Sequence, residues 1–161
     1  MKTMKIPKIY LETTIFNFPF ADDAPQYKAD TLKLFEEIKA GKFEPFTSKY
    51  ATDELADTKD AVKKAKMEAL ISEYHVKVFE RNDDIVKLAK IYVDGGIIPR
   101  KFDTDALHIA AATFYGMDII VSLNFGHIVK HKTILETEIV NLREGYKRVF
   151  IHTPAEVTEN G

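Results

Sequence analysis

The chain has no cysteine, which excludes a disulfide framework, a thiolate zinc site and a cysteine nucleophile. Carboxylate, imidazole, hydroxyl and amine groups are left for chemistry. A strong charge of one sign is lacking too, since 23 basic and 25 acidic residues give a formal net charge of -2. No global field draws polyanions to the whole surface, so nucleic acid must be met by local patches. No segment approaches the roughly 18 apolar residues of a membrane span, and the stretch from Met1 to Ile6 is followed by no apolar run of signal-peptide length. The expectation is a soluble, cytoplasmic protein without a membrane partner. Internal repeats and low-complexity segments are absent as well.

What is present suffices for one domain over residues 1–161, with 45% hydrophobic residues to build a core. Lys8-Ile9-Tyr10-Leu11 reads as a buried strand that stops at the polar cluster Glu12-Thr13-Thr14. Leu32, Phe35 and Ile38 mark an amphipathic helix ending at Gly41. Phe43 to Thr47, interrupted by Pro45, predicts a strand, and Ser48 offers an N-cap to a helix carrying Glu54. Val62, Ala65, Ala69 and Leu70 predict another helix after Asp60, and Val76 to Phe79 another strand. Ile85, Leu88, Ala89 and Tyr92 repeat at helical spacing, and a loop with Arg100, Lys101 and Asp103 follows. Ala106, Ile109, Ala110 and Phe114 give a helix opening near Asp105 and ending at Gly116, then the apolar strand Ile119-Ile120-Val121. A helix around 135–144 and a strand at 149–151 close the pattern. Alternating strands and helices predict an α/β fold with a mainly parallel sheet, in which ligands bind at the carboxyl ends of strands. Glu12 and Asn124 occupy such ends.

Most of the 25 acidic residues are solvated surface groups. Glu12 stands apart because a carboxylate directly after a buried strand points into the crevice above the sheet, where desolvation calls for a cation or hydrogen bonds. Asp105, like Asp103, opens a helix, and capping or dipole complementation explains either as well as chemistry does. Asp53 and Glu54 are about 100° apart on a helix, so only one faces inward. The sequence leaves open which. Thr13 and Thr14 read as turn or cap hydroxyls, and His108 as a packed structural histidine.

Four segments carry a resemblance: Tyr-Leu-Glu-Thr-Thr-Ile-Phe at 10–16, Thr-Asp-Glu-Leu at 52–55, Asp-Ala-Leu-His-Ile-Ala-Ala at 105–111 and Val-Ser-Leu-Asn-Phe at 121–125. In order and spacing they resemble the PIN domain family, and within it the toxin ribonucleases of type II toxin-antitoxin pairs. The resemblance implies a PIN-like α/β/α sandwich and an acidic site that binds Mg²⁺ or Mn²⁺ to cut RNA. By position, the family's acidic residues fall on Glu12, Glu54 and Asp105 as metal ligands, with Asn124 at the variable fourth place. Thr14, Arg100, Lys101 and His127 become candidates for substrate contact. A cognate antitoxin and a homodimer are the implied partners.

Hard oxygen ligands suit such an ion, which lowers the pKa of water and neutralises charge on phosphate. Glu12 keeps the charge but is one methylene longer than the family's aspartate, so Glu12→Asp is expected to leave activity unchanged or raise it. Asn124 brings a carbonyl oxygen without charge, which weakens a second metal position. Two other readings compete. A degenerate PIN domain would bind RNA or protein without cutting, whereas a phospho-receiver would need an acidic pair after the first strand, where Thr13 and Thr14 stand.

Overall fold

A computed structural model describes residues 5–158. Five strands form one sheet in the order β3-β2-β1-β4-β5, and every neighbouring pair is parallel. The strands are β1 (Lys8–Leu11), β2 (Glu44–Ser48), β3 (Lys77–Phe79), β4 (Ile119–Val121) and β5 (Phe150–His152). The helices are α1 (Thr14–Asn17), α2 (Pro25–Lys39), α3 (Lys49–Ala56), α4 (Ala61–Glu73), α5 (Asp83–Asp94), α6 (Asp103–Phe114), α7 (His131–Arg143) and α8 (Pro154–Val157). Short 3₁₀ turns at Phe18–Phe20 and Arg100–Phe102 complete the described elements. This is the α/β sandwich that strand and helix alternation predicted.

Strand alternation divides the core into two layers. Ile9 and Leu11 pack with Ile15, Phe16, Leu34, Phe35 and Leu55 on one face. Tyr10 points the other way, among Ile85, Leu88, Tyr92, Ala106 and Ile109. Small residues on α6, with Ala106, Ala110, Ala111 and Ala112 fully buried, let that helix lie close to the sheet. Gly116, at φ +68°, then turns the chain into β4, which few other residues would do without strain.

Two predicted helix faces turn out differently, and a third helix buries a polar side. On α2 the buried stripe is Thr31, Leu34, Phe35 and Ile38, while Leu32 is exposed. Thr31 is tolerated inside because its hydroxyl donates to the carbonyls of Tyr27 and Lys28, both at 2.9 Å. On α4 only Met67 and Leu70 are buried, and Val62, Ala65 and Ala69 face outward. On α7 the inward side is polar: Asn141 accepts from the Tyr92 hydroxyl and donates to Thr113 at 3.1 Å, so Leu135 and Ile139 face out. Apolar spacing misleads where internal hydrogen bonds satisfy a buried polar face.

The sheet's order fixes where a ligand can enter. Successive strands run outward from β1 through β2 to β3, but β4 lies on the other side of β1, so the crossovers part between β1 and β4. At such a switch point the carboxyl ends of two strands open a crevice between diverging loops. Glu12 follows β1 there, and Ser122, Leu123 and Asn124 follow β4. Among the described residues, no helix is long and apolar enough to cross a membrane.

Candidate functional site

Each side chain at this crevice is held by a rigid element. The ladder extends past β1 through the Glu12 N–H, which donates to the Val121 carbonyl at 3.1 Å. The Glu12 side chain is 2% exposed. Two hydroxyls, Ser122 Oγ and Thr14 Oγ1, donate to its Oε1 at 2.6 Å each. Thr14 Oγ1 also accepts the Leu123 N–H at 2.9 Å, which clips the ends of β1 and β4 together. Thr14 is therefore an orienting group for Glu12.

The choice between Asp53 and Glu54 is settled by α3, which starts directly after β2. Glu54 turns inward, whereas Asp53 pairs with Arg81 on the surface. Glu54 Oε1 accepts from Thr13 Oγ1 at 2.7 Å and meets His108 Nε2 at 2.5 Å. On α6, Asp105 is partly buried and Asp103 exposed, so the first of the two is the inward acid. Asn124 stands beside Asp105 and favours its ionised form. Asn124 Oδ1, the oxygen expected to face a metal, instead accepts the His127 N–H at 3.0 Å.

His108 is the group that spacing alone assigned to packing. It is fully buried, and its two ring nitrogens join opposite sides of the site. Nδ1 lies 2.7 Å from the Tyr10 hydroxyl, which lies 2.6 Å from Ser48 Oγ. With the neutral ring, Tyr10 donates to Nδ1 and Nε2–H donates to Glu54, and this orders the chain Ser48, Tyr10, His108, Glu54. Two sequence signals could have found it. His108 sits three residues after Asp105 on one helix face, and Tyr10 shares a strand face with Glu12.

Electrostatics reflect the crowding. Burial raises the Glu12 carboxyl above its ordinary range, and this outweighs the His108, Ser122 and Thr14 contacts that favour the anion. Asp105 is raised for the same first reason, against the pull of Asn124, His108 and His127. Burial also acts on Glu54, but the His108 hydrogen bond and charge and the Thr13 hydroxyl leave it lowered. Burial pulls His108 down, yet the Glu54 hydrogen bond and the charges of Glu12, Glu54 and Asp105 raise it overall. The three carboxylates named from sequence thus act on one buried imidazole.

Among the described residues, no three His, Asp or Glu side chains stand close enough to hold one ion between them as positioned. Of the three carboxylates, Glu54 hydrogen-bonds His108, and Glu12 and Asp105 reach it through charge. Of the other candidates, His127 is half-buried near Asp105 and Lys101 Nζ lies 5.2 Å from the Phe102 ring. Arg100 pairs with Asp94 of α5 at 3.1 Å. Protein-family models give no match to this chain, and neither do curated proteins.

Proposed function

We propose that this chain is a PIN-like, Mg²⁺- or Mn²⁺-dependent endoribonuclease acting in the cytoplasm, with Glu12, Glu54 and Asp105 as its metal-holding residues. The observation that carries the reading is the arrival of three carboxylates, from β1, α3 and α6, around His108 at the switch point of a parallel sheet. The donor chemistry fits a hard divalent cation, because the groups are oxygen ligands and no thiolate competes. Burial that raises Glu12 and Asp105 fits as well, since a bound cation would reverse that shift and keep both ionised. When bound, the ion lowers the pKa of water and neutralises charge on the phosphate being cut.

The chain's own residues supply position. Ser122 and Thr14 fix the Glu12 oxygen through Oε1, among the described residues none donates to Oε2, and that second oxygen is the one available to a ligand. His108 keeps a proton on Nε2 toward Glu54, held in that tautomer by Tyr10. Asn124 and His127 stand beside Asp105 and favour its ionised form, and His127 offers an imidazole for a substrate phosphate. The motif resemblance extends the proposal to the toxin half of a toxin-antitoxin pair, with RNA, a cognate antitoxin and a second copy as partners.

A second reading, a degenerate PIN-like module that binds RNA or protein without cleavage, is favoured by one observation. Glu54 Oε1 and Asn124 Oδ1 are both engaged within the protein. The deciding experiment incubates varied RNAs with the parent chain and with Asp105→Ala, in Mg²⁺, Mn²⁺ or EDTA. Cleavage is expected only with metal, and to fall by on the order of 100-fold or more in the variant, since even indirect metal contacts matter 10- to 100-fold. Metal-independent cleavage that survives Asp105→Ala would overturn the proposal. Metal binding by calorimetry without any cleavage would favour the binding module.

A further inference from the structure

An acidic pocket on a chain of net charge -2 attracts RNA weakly through long-range electrostatics, so affinity must come largely from contacts that do not depend on charge. The rings around Asn124 offer such contacts. On one side, Phe125 packs on Tyr27 of α2 at 5.7 Å between centroids, and Phe18 meets Tyr27 edge-on at 5.5 Å. On the other, Phe102 stacks on His127 at 3.9 Å, with Lys101 Nζ 5.2 Å from its ring. Phe125, Tyr27 and Phe102 are 46%, 38% and 36% exposed, so ring surface stays open. The row Phe125, Tyr27, Phe18 leads to a cleft of about 420 Å³ lined by Phe18, Phe20, Lys63 and Lys66, with Asp23 and Asp60 also at its wall.

We propose that these two ring pairs form a base-stacking subsite for unpaired RNA, with one base on Phe125 and the neighbouring base on the Phe102 and His127 pair, beside Asn124. The ligand's identity as RNA rests on the ribonuclease reading. Aromatic platforms hold single strands without reading sequence, because every base has a π-face. A base laid on either ring leaves its place in a stack of bases, which a duplex resists and a single strand permits. At the end of the first row Lys63 and Lys66 are balanced by Asp23 and Asp60, so the ring faces rather than local charge carry the affinity.

The test is fluorescence anisotropy with a labelled single-stranded RNA of about 10 nucleotides and with the same sequence annealed to its complement. Binding is read in EDTA at low ionic strength, so that no cleavage intervenes. The parent chain is expected to prefer the single strand, and Phe125→Ala to weaken it by roughly 5- to 140-fold, the equivalent of 1–3 kcal/mol of stacking per base. Phe125→Tyr should restore it. Phe150→Ala removes an equally exposed ring on β5 and should change nothing. Absence of single-strand binding, equal binding of the duplex, or unchanged binding by Phe125→Ala each overturns the subsite. Cleavage assays separate the two proposals: Phe125-dependent binding with no metal-dependent cut keeps the subsite and removes the nuclease. Asp105-dependent cleavage with Phe125→Ala binding normally does the reverse.

Discussion

Glu12 is a carboxylate buried in a parallel-sheet crevice, with two hydroxyl donors on one oxygen. From sequence, the shorter aspartate is expected to serve as well or better. The hydrogen bonds on Glu12 Oε1 argue for the opposite outcome. Shortening the side chain by one C–C bond, about 1.5 Å, withdraws the oxygen from Ser122 and Thr14, whose 2.6 Å hydrogen bonds have no slack. Each hydroxyl would lose a buried partner, at about 1–3 kcal/mol for a group left unsatisfied. Glu12→Asp is therefore predicted to lower the urea midpoint and to reduce metal-dependent cleavage. Glu12→Gln should hold the two hydroxyls better than Glu12→Asp while losing the charge. Denaturant titrations of the two variants check this, and a more stable Glu12→Asp protein would contradict it.

At the scale of elements, the site is a joint between β1, β2, α3 and α6. Tyr10 of β1 reaches Ser48 at the end of β2 and His108 of α6, and His108 passes the connection to Glu54 of α3. Such a chain orients its members more strictly than any pair would. Tyr10→Phe keeps the ring that fills the core but removes the hydroxyl, leaving Ser48 Oγ and His108 Nδ1 without it. The expected loss is about 1–3 kcal/mol, with an unchanged dependence on denaturant because the buried surface is nearly the same. Metal affinity should fall with it, as the tautomer of His108 is no longer fixed. Urea unfolding and metal titration calorimetry measure the two effects, and unaltered metal affinity would show that Tyr10 serves the core alone.

For the whole molecule, the opposed shifts at one site give a definite pH dependence. Glu12 and Asp105, raised first by burial, and His108, raised overall by its acidic neighbours, all bind protons more tightly folded than unfolded. Each contributes stability that is complete below its unfolded pKa and is lost as pH rises through the folded value. Glu54 is lowered, so its contribution holds above its unfolded pKa and is lost as pH falls through the folded one. Glu54 titrates below its unfolded pKa and adds nothing over this range, so the three raised groups alone predict that the metal-free protein loses stability as pH rises from about 5 toward about 8. Mg²⁺ should oppose that loss, adding about 2.7 kcal/mol at one hundred times its dissociation constant and acting most strongly where the carboxylates are ionised. Urea midpoints at both pH values, with and without Mg²⁺, test this. A metal-free midpoint that climbs over the range would contradict the burial of Glu12 and Asp105.

The sequence by itself determined the five strands and the longer helices, though not the one-turn α1 and α8, because period-2 and period-3.6 patterns are local. Ile9 and Leu11 against Tyr10 fixed two faces for β1, and Ile85, Leu88, Ala89 and Tyr92 fixed the buried stripe of α5. It also placed Glu12 at a strand end, which is where a parallel sheet opens. Only tertiary structure decided that Glu54 rather than Asp53 faces inward and that Asn124 Oδ1 is taken by the His127 N–H. It alone revealed that His108 links what spacing had left separate. Those outcomes depend on contacts between residues 54 and 98 positions apart in the chain. Local periodicity carries no information about such pairs, because the sheet's strand order brings them together.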